Sequence, residues 1–214
     1  TEIIVSFPEY IKSLLDNETN FEAASVSNND GFVIIHTAAV EGRPRGALLS
    51  HGNLVCANIH LNYCFNLTEK DVHLNLLPMF HVGGLFMAIS SFHAGALNIN
   101  MSKFDAGRAV DLIAEKKVTF LFDFAPILSS ILEEHEKSGK DIQSLQHVPG
   151  LEAPDVIEKY QDLTGGSFYC MYGQTETSAV VTMAPYSDRP GSAGRTILLA
   201  NVRLVDDNDQ PVAT

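Results

Sequence analysis

Four short stretches of this chain combine residue types that could bind a nucleotide and a metal ion. The last of them, MYGQTETSA at residues 171–179, brings an aromatic ring, two threonine hydroxyls and a carboxylate into one segment. Tyr172 could stack on a base through its ring face, and Thr175 could donate its hydroxyl to a phosphate. Glu176 offers carboxylate oxygen, the ligand type that magnesium prefers. A helix N-terminus capped by Thr175 would use the same residues, and their spacing leaves both interpretations open.

A second stretch, HTAAVEGRPRGALLSHGN at residues 36–53, could form a phosphate-binding loop. Gly42 and Gly46 would allow a tight turn with exposed backbone N–H groups. Arg43 and Arg45 carry positive charge that can fork onto phosphate oxygens. The stretch is not a Walker loop, because the G-x-x-x-x-G-K-[ST] spacing is absent. An ordinary basic turn would contain the same residues, so both interpretations stay open.

Two further stretches combine glycine with a histidine or with an exposed strand end. In LPMFHVGGL, residues 77–85, His81 precedes Gly83 and Gly84, which would let a helix start approach a ligand closely. A histidine in apolar surroundings is also typical of a packed core. VPGLEAPDV, residues 148–156, predicts a strand, a loop and a helix. Its backbone could recognise a flat heterocycle through hydrogen bonds, or it could simply connect the two elements.

The elements that must position these stretches alternate between strand-like and helix-like patterns. This alternation predicts an α/β fold with a mainly parallel sheet flanked by helices and ending in β-hairpin material. Short β-branched or aromatic runs predict strands at Phe32–His36, Val72–Leu77, Ala96–Asn100, Val118–Phe122, Gln146–Pro149 and Ser167–Met171. Apolar spacing and capping residues predict a helix from His51 to about Tyr63 with Ser50 as its N-cap, and a second helix capped by Asp105. Further helices are predicted from Pro126 to near Gly139 and from Pro154 to Gly165.

The pattern divides the chain into three parts. Residues 1–30 form a poorly patterned lead-in, residues 31–177 an α/β nucleotide-binding part, and residues 178–214 the start of a β subdomain. The chain begins with Thr1 rather than Met and stops just after a strand-like run. We therefore expect residues 1–214 to be a central fragment of a longer protein.

Composition and charge limit the partners that we expect. The chain has 214 residues, of which 45% are hydrophobic, and this is enough for a sizeable core. Its formal net charge of −12 argues against nucleic acid or an anionic membrane surface as the main partner. Three cysteines give no disulfide framework and predict a reducing, cytoplasmic environment. No apolar run approaches about 18 residues, so the sequence predicts no membrane-spanning segment.

In this order, the four stretches resemble the adenylate-forming superfamily of acyl-CoA synthetases, firefly luciferase and the adenylation domains of peptide synthetases. TAAVEGRPRG and LLSHGN stand where that family has its phosphate loop and the segment after it. LPMFHVGGL is similar to the next segment of acyl-CoA synthetases, GLEAP to the adenine-contacting loop, and YGQTE is the most specific match. The resemblance runs from about residue 30 to the end. It implies an incomplete piece of the large N-terminal domain of the adenylate-forming fold, with the C-terminal domain absent.

The resemblance implies a two-step reaction of an enzyme most similar to bacterial fatty-acid or aryl acyl-CoA ligases. A fatty or aromatic carboxylate would attack the α-phosphate of magnesium ATP, giving an acyl adenylate and pyrophosphate. Coenzyme A would then accept the acyl group through its thiol. The family's ribose-binding aspartate and its C-terminal catalytic lysine would lie beyond residue 214. We therefore do not expect this chain to complete the reaction alone.

The resemblance also assigns roles to residues of this chain. Thr175 would contact the α-phosphate, Glu176 would bind magnesium, and His81 would line the carboxylate pocket. Tyr172 would stack on adenine, and the loop around Arg45 would hold the β- and γ-phosphates. The full set of implied nucleotide-binding residues is Thr37, Gly42, Arg45, Gly46, Gly150, Leu151, Glu152, Tyr172 and Gly173.

The phosphate loop departs from the family pattern and keeps two alternatives open. Residues 38–41 read Ala-Ala-Val-Glu where the family usually has Ser-Gly-Thr-Thr, while Arg45 replaces a lysine and keeps its charge. One alternative is a non-catalytic nucleotide-binding or interaction module with an eroded phosphate loop. The other is a peptide-synthetase adenylation domain. That group usually has an aspartate after the phenylalanine to bind an amino group, whereas this chain has His81, which favours a substrate without an amine.

Overall fold

Strands and helices alternate along most of the chain, as the computed structural model describes it for residues 12, 22–37 and 42–212. Residues 38–41 and most of the predicted lead-in lie outside these described residues. The strands are β1 (Gly31–His36), β2 (Gly46–Ser50), β3 (Val72–Asn75), β4 (Leu97–Asn100), β5 (Asp123–Phe124), β6 (His147–Leu151), β7 (Ser167–Gln174), β8 (Ala179–Pro185) and β9 (Arg195–Thr196). The helices are α1 (His51–Phe65), α2 (Val82–His93), α3 (Ala106–Lys116), α4 (Ile127–Ser138) and α5 (Pro154–Thr164). Two short 3₁₀ turns, Thr175–Thr177 and Tyr186–Asp188, flank β8.

The predicted α/β fold with a mainly parallel sheet is confirmed. β3 pairs with β4, and β5, β6 and β7 pair in that order, all in parallel. Parallel bridges from Phe120 to His73 of β3 and to His147 of β6 join the two groups. β8 and β9 continue the sheet beyond β7 in antiparallel register. The predicted boundary at residue 178 therefore falls between two paired strands, and the division of the chain into three parts stays a prediction.

The predicted helix boundaries agree with the structure to within two residues, since α1 ends at Phe65 and α4 begins at Ile127. Ser50 caps α1 in a capping box: its side chain accepts from the Asn53 N–H at 3.2 Å, and the Asn53 side chain accepts from the Ser50 N–H at 2.9 Å. Asp105 caps α3 by accepting from the Arg108 N–H at 2.8 Å. α4 and α5 both end at a glycine in the left-handed conformation, Gly139 and Gly165.

In three regions the strands of the structure differ from the predicted pattern. GALLS forms β2, which pairs antiparallel with β1 in a separate hairpin, although the sequence predicted only a loop there. The strand predicted at Val118–Phe122 contributes only the bridges at Phe120, and regular pairing begins at Asp123. Near the end of the described chain, β9 is two residues long and a single bridge joins Val205 to Pro211. Residues 201–212 are exposed, so no packing layer reinforces a longer hairpin there.

The main core lies between the sheet and helices α3, α4 and α5. Buried side chains from strands, such as Leu74 and Phe168, pack with helical residues such as Ile113 and Ile131. Fully burying one such side chain stabilises the fold by roughly 1.5–3 kcal/mol. A smaller cluster fixes the β1–β2 hairpin against α1 and α2 through Ile35, Leu49, Ala57, Val82 and Phe86. None of the helices in the described part of the chain is long and apolar enough to cross a membrane.

Candidate functional site

A cavity of about 750 Å³ lies where the carboxyl ends of β5, β6 and β7 face the β1–β2 hairpin and the start of α2. In parallel sheets, ligands bind outside these strand ends, because the connecting loops gather there. All four stretches with candidate chemistry contribute to the wall of this cavity. The predicted site residues in the wall are Thr37, Arg45, His81, Gly150, Leu151, Tyr172, Gly173, Thr175 and Glu176.

Three predicted site residues lie outside that wall. Gly42 is exposed in the hairpin connection, and Gly46 opens β2 and faces the Ile34 side chain across the hairpin. Glu152 is half-buried just after β6. Even so, Cα atoms of β2 lie within 8 Å of Cα atoms in the Thr175–Thr177 turn, so the glycine-rich loop and the YGQTE segment are neighbours.

The turn that carries Thr175 and Glu176 depends on a bulge at the end of β7. The register shifts between Tyr172 and Gly173, and a Cβ added at Gly173 would overlap the Ala179 carbonyl oxygen. Thr177 closes the turn: its hydroxyl oxygen accepts from the Gln174 N–H at 3.1 Å, and the hydroxyl donates to the Gln174 carbonyl at 3.0 Å.

Thr175 is the first residue of this turn and not its cap, so the interpretation of Thr175 as a capping residue is wrong. Its hydroxyl makes no hydrogen bond to another described residue and lies in the cavity wall. Tyr172 is 55% exposed in the cavity wall, where its ring could stack on a flat ligand. The site thus offers a stacking surface and a hydroxyl donor side by side.

Glu176 presents an exposed carboxylate to the cavity and forms no ion pair within the described part of the chain. No three His, Cys, Asp or Glu side chains among the described residues form a metal-binding group. A cation here would take one protein carboxylate and complete its shell with ligand oxygens and water. Magnesium commonly accepts such a shell at sites where it bridges to phosphates, so the donor set fits that ion.

His81 begins α2 as an exposed N-cap residue and is not packed in the core. Its Nδ1 accepts a hydrogen bond from the Gly83 N–H at 3.0 Å. A neutral imidazole that accepts at Nδ1 carries its proton on Nε2, so the ring can donate from that nitrogen. Gly83 lines the cavity, whereas Gly84 serves local packing, since a Cβ there would overlap the Pro78 carbonyl oxygen.

The hairpin places two arginines in the wall of the cavity. The Thr37 N–H donates to the Arg45 carbonyl at 2.9 Å, and the Arg45 N–H donates to the Thr37 hydroxyl oxygen at 3.4 Å. Because the Thr37 hydroxyl oxygen acts as an acceptor in this bond, its O–H group can still donate a hydrogen bond to a ligand. Arg43 and Arg45 are both exposed there, so this part of the wall carries two guanidinium groups on a chain whose net charge is −12.

The sequence did not indicate Asp123, which lies fully buried beside the cavity. Its Oδ1 accepts from the Leu128 N–H at 2.9 Å, and burial raises the pKa of its carboxyl to about 7. The neighbours Phe122 and Phe124 line the cavity and were not predicted either. An aspartate within the apolar run LFDFAP was the only sequence signal, because charged residues are rarely buried without a partner.

Comparison with protein families identifies one match across nearly the whole chain. The sequence profile described as "AMP-binding enzyme" matches residues 2–214. Feruloyl-CoA synthase of Amycolatopsis sp is 29% identical over 196 residues, which cover 87% of this chain and 39% of that protein. The 2-succinylbenzoate–CoA ligase of Bacillus velezensis is 28% identical over 189 residues, with the same two coverages. The chain therefore spans about two fifths of the length of these curated relatives.

Solved structures share the fold. A crystal structure of a candidate long-chain-fatty-acid CoA ligase from Rhodopseudomonas palustris has a TM-score of 0.86 and 42% identity, and the match covers 94% of this chain and 50% of that one. The O-succinylbenzoate coenzyme A synthetase of Bacillus subtilis, solved in complex with ATP and magnesium ion, has a TM-score of 0.81 at 21% identity. That match covers 95% of this chain and 43% of that one.

Proposed function

We propose that this chain, which belongs to the AMP-binding enzyme family, is part of a ligase that activates a fatty or aromatic carboxylic acid with magnesium ATP and transfers it to coenzyme A. One observation carries the proposal: a single cavity joins a stacking ring, a free hydroxyl, an exposed carboxylate and two arginines. The relatives named feruloyl-CoA synthase and 2-succinylbenzoate–CoA ligase support the coenzyme A step.

The nucleotide would lie across the cavity from the strand ends to the hairpin. Adenine would stack on Tyr172, with its edge along Gly150 and Leu151 at the end of β6. The β- and γ-phosphates would contact Thr37 and Arg45. Gly42 and Gly46 would act through the conformation of the loop, since their backbones lie outside the cavity wall. Glu152 would position the end of β6 and not touch the base directly.

The first step needs positioning and charge neutralisation more than covalent catalysis. A carboxylate oxygen forms a bond to the α-phosphorus while the bond from that phosphorus to the pyrophosphate oxygen breaks, and no proton is transferred. Thr175 would donate its hydroxyl to an α-phosphate oxygen, and His81 would orient the incoming carboxylate through Nε2–H. Magnesium held by Glu176 would supply positive charge against the phosphate oxygens.

The second step transfers the acyl group to sulfur. The thiol sulfur forms a bond to the acyl carbon, the bond from that carbon to the phosphate oxygen breaks, and the thiol proton passes to solvent. None of the residues described above is assigned as the base for that proton.

Pyrophosphate exchange in the full-length protein tests the proposal. We expect exchange with fatty or aromatic acids and none with amino acids, followed by acyl-CoA formation when coenzyme A is added. Exchange with amino acids alone would instead support a peptide-synthetase adenylation domain. A folded protein that exchanges with no acid would support the non-catalytic module. The departure of residues 38–41 from the family's phosphate-loop sequence is the observation that favours this alternative.

A further inference from the structure

The carboxyl group of Asp123 is buried between β5, β6 and α4. It pairs with Gly150 of β6 in parallel register, and its side chain has no exposure to solvent. Its Oδ1 accepts from the Leu128 N–H in the first turn of α4. Its Oδ2 is buried and has no hydrogen-bond partner among the described residues. One oxygen of this carboxyl is therefore fixed, while the other still needs a partner.

Glu152 has a matching unpaired oxygen. It follows Gly150 by two residues, and its Oε1 accepts from the Ala153 N–H at 2.8 Å. Its Oε2 is buried and, within the described ranges, also lacks a hydrogen-bond partner. Burial raises the pKa of Asp123, and the negative charge of Glu152 raises it further, while the Leu128 N–H opposes the rise. Because Asp123 pairs with Gly150 across the sheet, Glu152 follows Asp123's own partner residue by two positions.

We propose that Asp123 is a positioning residue whose carboxyl group shares one proton with Glu152, directly or through one water molecule. Two buried carboxylates side by side repel each other, and one proton between them removes a charge. The same proton gives both unpaired oxygens a hydrogen bond. The segment from Gly150 to Glu152 is thereby held at the end of β6, where Gly150 and Leu151 form part of the cavity wall.

Other ionisable groups near Asp123 do not supply a compensating charge. β6 carries His147 at its start, three residues before Gly150. α4 carries its ionisable side chains from Glu133 to Lys137, five or more residues beyond Leu128. Within the described residues, Glu152 is the side chain whose charge acts on the Asp123 carboxyl.

Isotope-edited infrared spectroscopy tests the shared proton without any assay of activity. With ¹³C-labelled aspartate in the full-length protein, we expect a protonated carboxyl band that disappears with a midpoint near pH 7 and is absent from Asp123→Asn. Glu152→Gln should move the midpoint to lower pH, because it removes the neighbouring negative charge. No protonated band at pH 6, a band that persists in Asp123→Asn, or a midpoint unmoved by Glu152→Gln would overturn the proposal.

The positioning role rests on the proposed function and is tested by adenosine binding, since adenosine has no group that titrates near neutral pH. If only the protonated pair binds, affinity should fall by up to about 30-fold between about pH 6 and about pH 8.5. Asp123→Asn should bind adenosine with little pH dependence, because its side-chain amide stays neutral at every pH and can still donate a hydrogen bond. Asp162→Asn, an exposed aspartate on α5, should keep the full pH dependence.

The outcomes separate this inference from the proposed function. If adenosine binds at no pH while the infrared titration is as expected, the proton sharing stands and the nucleotide site is wrong. If adenosine binds with the same pH dependence in the wild-type protein and in Asp123→Asn, the positioning role is wrong. Thermal unfolding at pH 6 checks that each variant is folded.

Discussion

The two sides of the cavity are built in different ways. The strand side comprises the ends of β5, β6 and β7 with the turn after them, and there the backbone is packed so closely that glycine is required. A Cβ at Gly150 would overlap the Asp123 carbonyl, and one at Gly173 would overlap the Ala179 carbonyl. The hairpin side comprises the β1–β2 connection, and there a Cβ at Gly42 would meet nothing within 4 Å. It is held by the bonds between Thr37 and Arg45.

This difference indicates how sequence change is tolerated around one cavity. Tertiary packing determines the shape of the strand side, so a substitution there disturbs the fold and the site together. The hairpin side contributes charge and backbone donors from an exposed loop, so residues can change there with little effect on the core. Residues 38–41, where the sequence departs from the family pattern, connect Thr37 to Gly42 along the chain.

The largest expected effect concerns Asp123 and the pH dependence of stability on the strand side. The pKa of this carboxyl is about 7 in the folded protein against an ordinary value of 3.8, so folding favours the protonated form. The stabilisation is present below about pH 4 and is lost as the pH rises through 7. Relative to Asp123→Asn, the wild-type protein should lose roughly 4 kcal/mol of unfolding free energy over that range.

Chemical denaturation of both proteins between pH 4 and pH 8 measures this difference. Asp162→Asn is the control, and it should follow the wild-type protein at every pH. Parallel curves for the wild type and Asp123→Asn would show that Asp123 titrates normally and that the strand side carries no buried proton.

The comparison next predicts that glycine substitutions lower the free energy of unfolding by different amounts on the two sides. Gly173→Ala should destabilise the protein by on the order of 3 kcal/mol and disturb nucleotide binding, because the added carbon meets backbone and not a movable side chain. Gly42→Ala should cost about 1 kcal/mol, from its positive φ alone. Urea denaturation gives both values, and equal costs would remove the distinction between the sides.

Glu176→Gln separates chemistry from packing on the strand side. The carboxylate is exposed, so the change should leave unfolding free energy within about 0.5 kcal/mol of the wild type. Adenylate formation in the full-length protein should fall by on the order of 100-fold, because the proposed magnesium ligand would be lost. Glu133→Gln, an exposed glutamate on α4, is the matched control. Normal pyrophosphate exchange in Glu176→Gln would show that the magnesium assignment is wrong.

The smallest effect is expected on the hairpin side. Arg45→Ala should raise the KM for ATP by about 10-fold, since the proposed charged contact to phosphate would be lost. Arg45→Lys should recover much of the affinity, because lysine keeps the charge. Arg203→Ala, at an exposed position away from the cavity, is the control. An unchanged KM in Arg45→Ala would mean that the hairpin does not contact the phosphates.

Local signals in the sequence were sufficient for much of the fold. Ser50 and Asp105 were recognised as helix caps and Gly139 and Gly165 as helix ends, because these functions depend on a few neighbouring residues. The parallel sheet followed from the alternation of elements. β2 was missed because its pairing with β1 depends on a hairpin and not on its own pattern, and β5 was displaced because its partner strand sets the register.

The candidate site shows the same division between local and tertiary information. Nine of the twelve predicted site residues line one cavity, whereas Gly42, Gly46 and Glu152 lie outside its wall. The sequence did not predict that Thr177 would close the turn, because that role depends on the bulge at Gly173. Asp123 was missed, since its burial and its position near Glu152 depend on the pairing of β5 with β6.

A crystal structure of the full-length protein with magnesium ATP tests the central claim most directly. The account predicts one nucleotide in the cavity, with adenine on the Tyr172 ring, the triphosphate against Thr37 and Arg45, and the metal ion on the Glu176 carboxylate. ATP bound elsewhere, or bound in the cavity with Glu176 remote from both metal and phosphates, would contradict it.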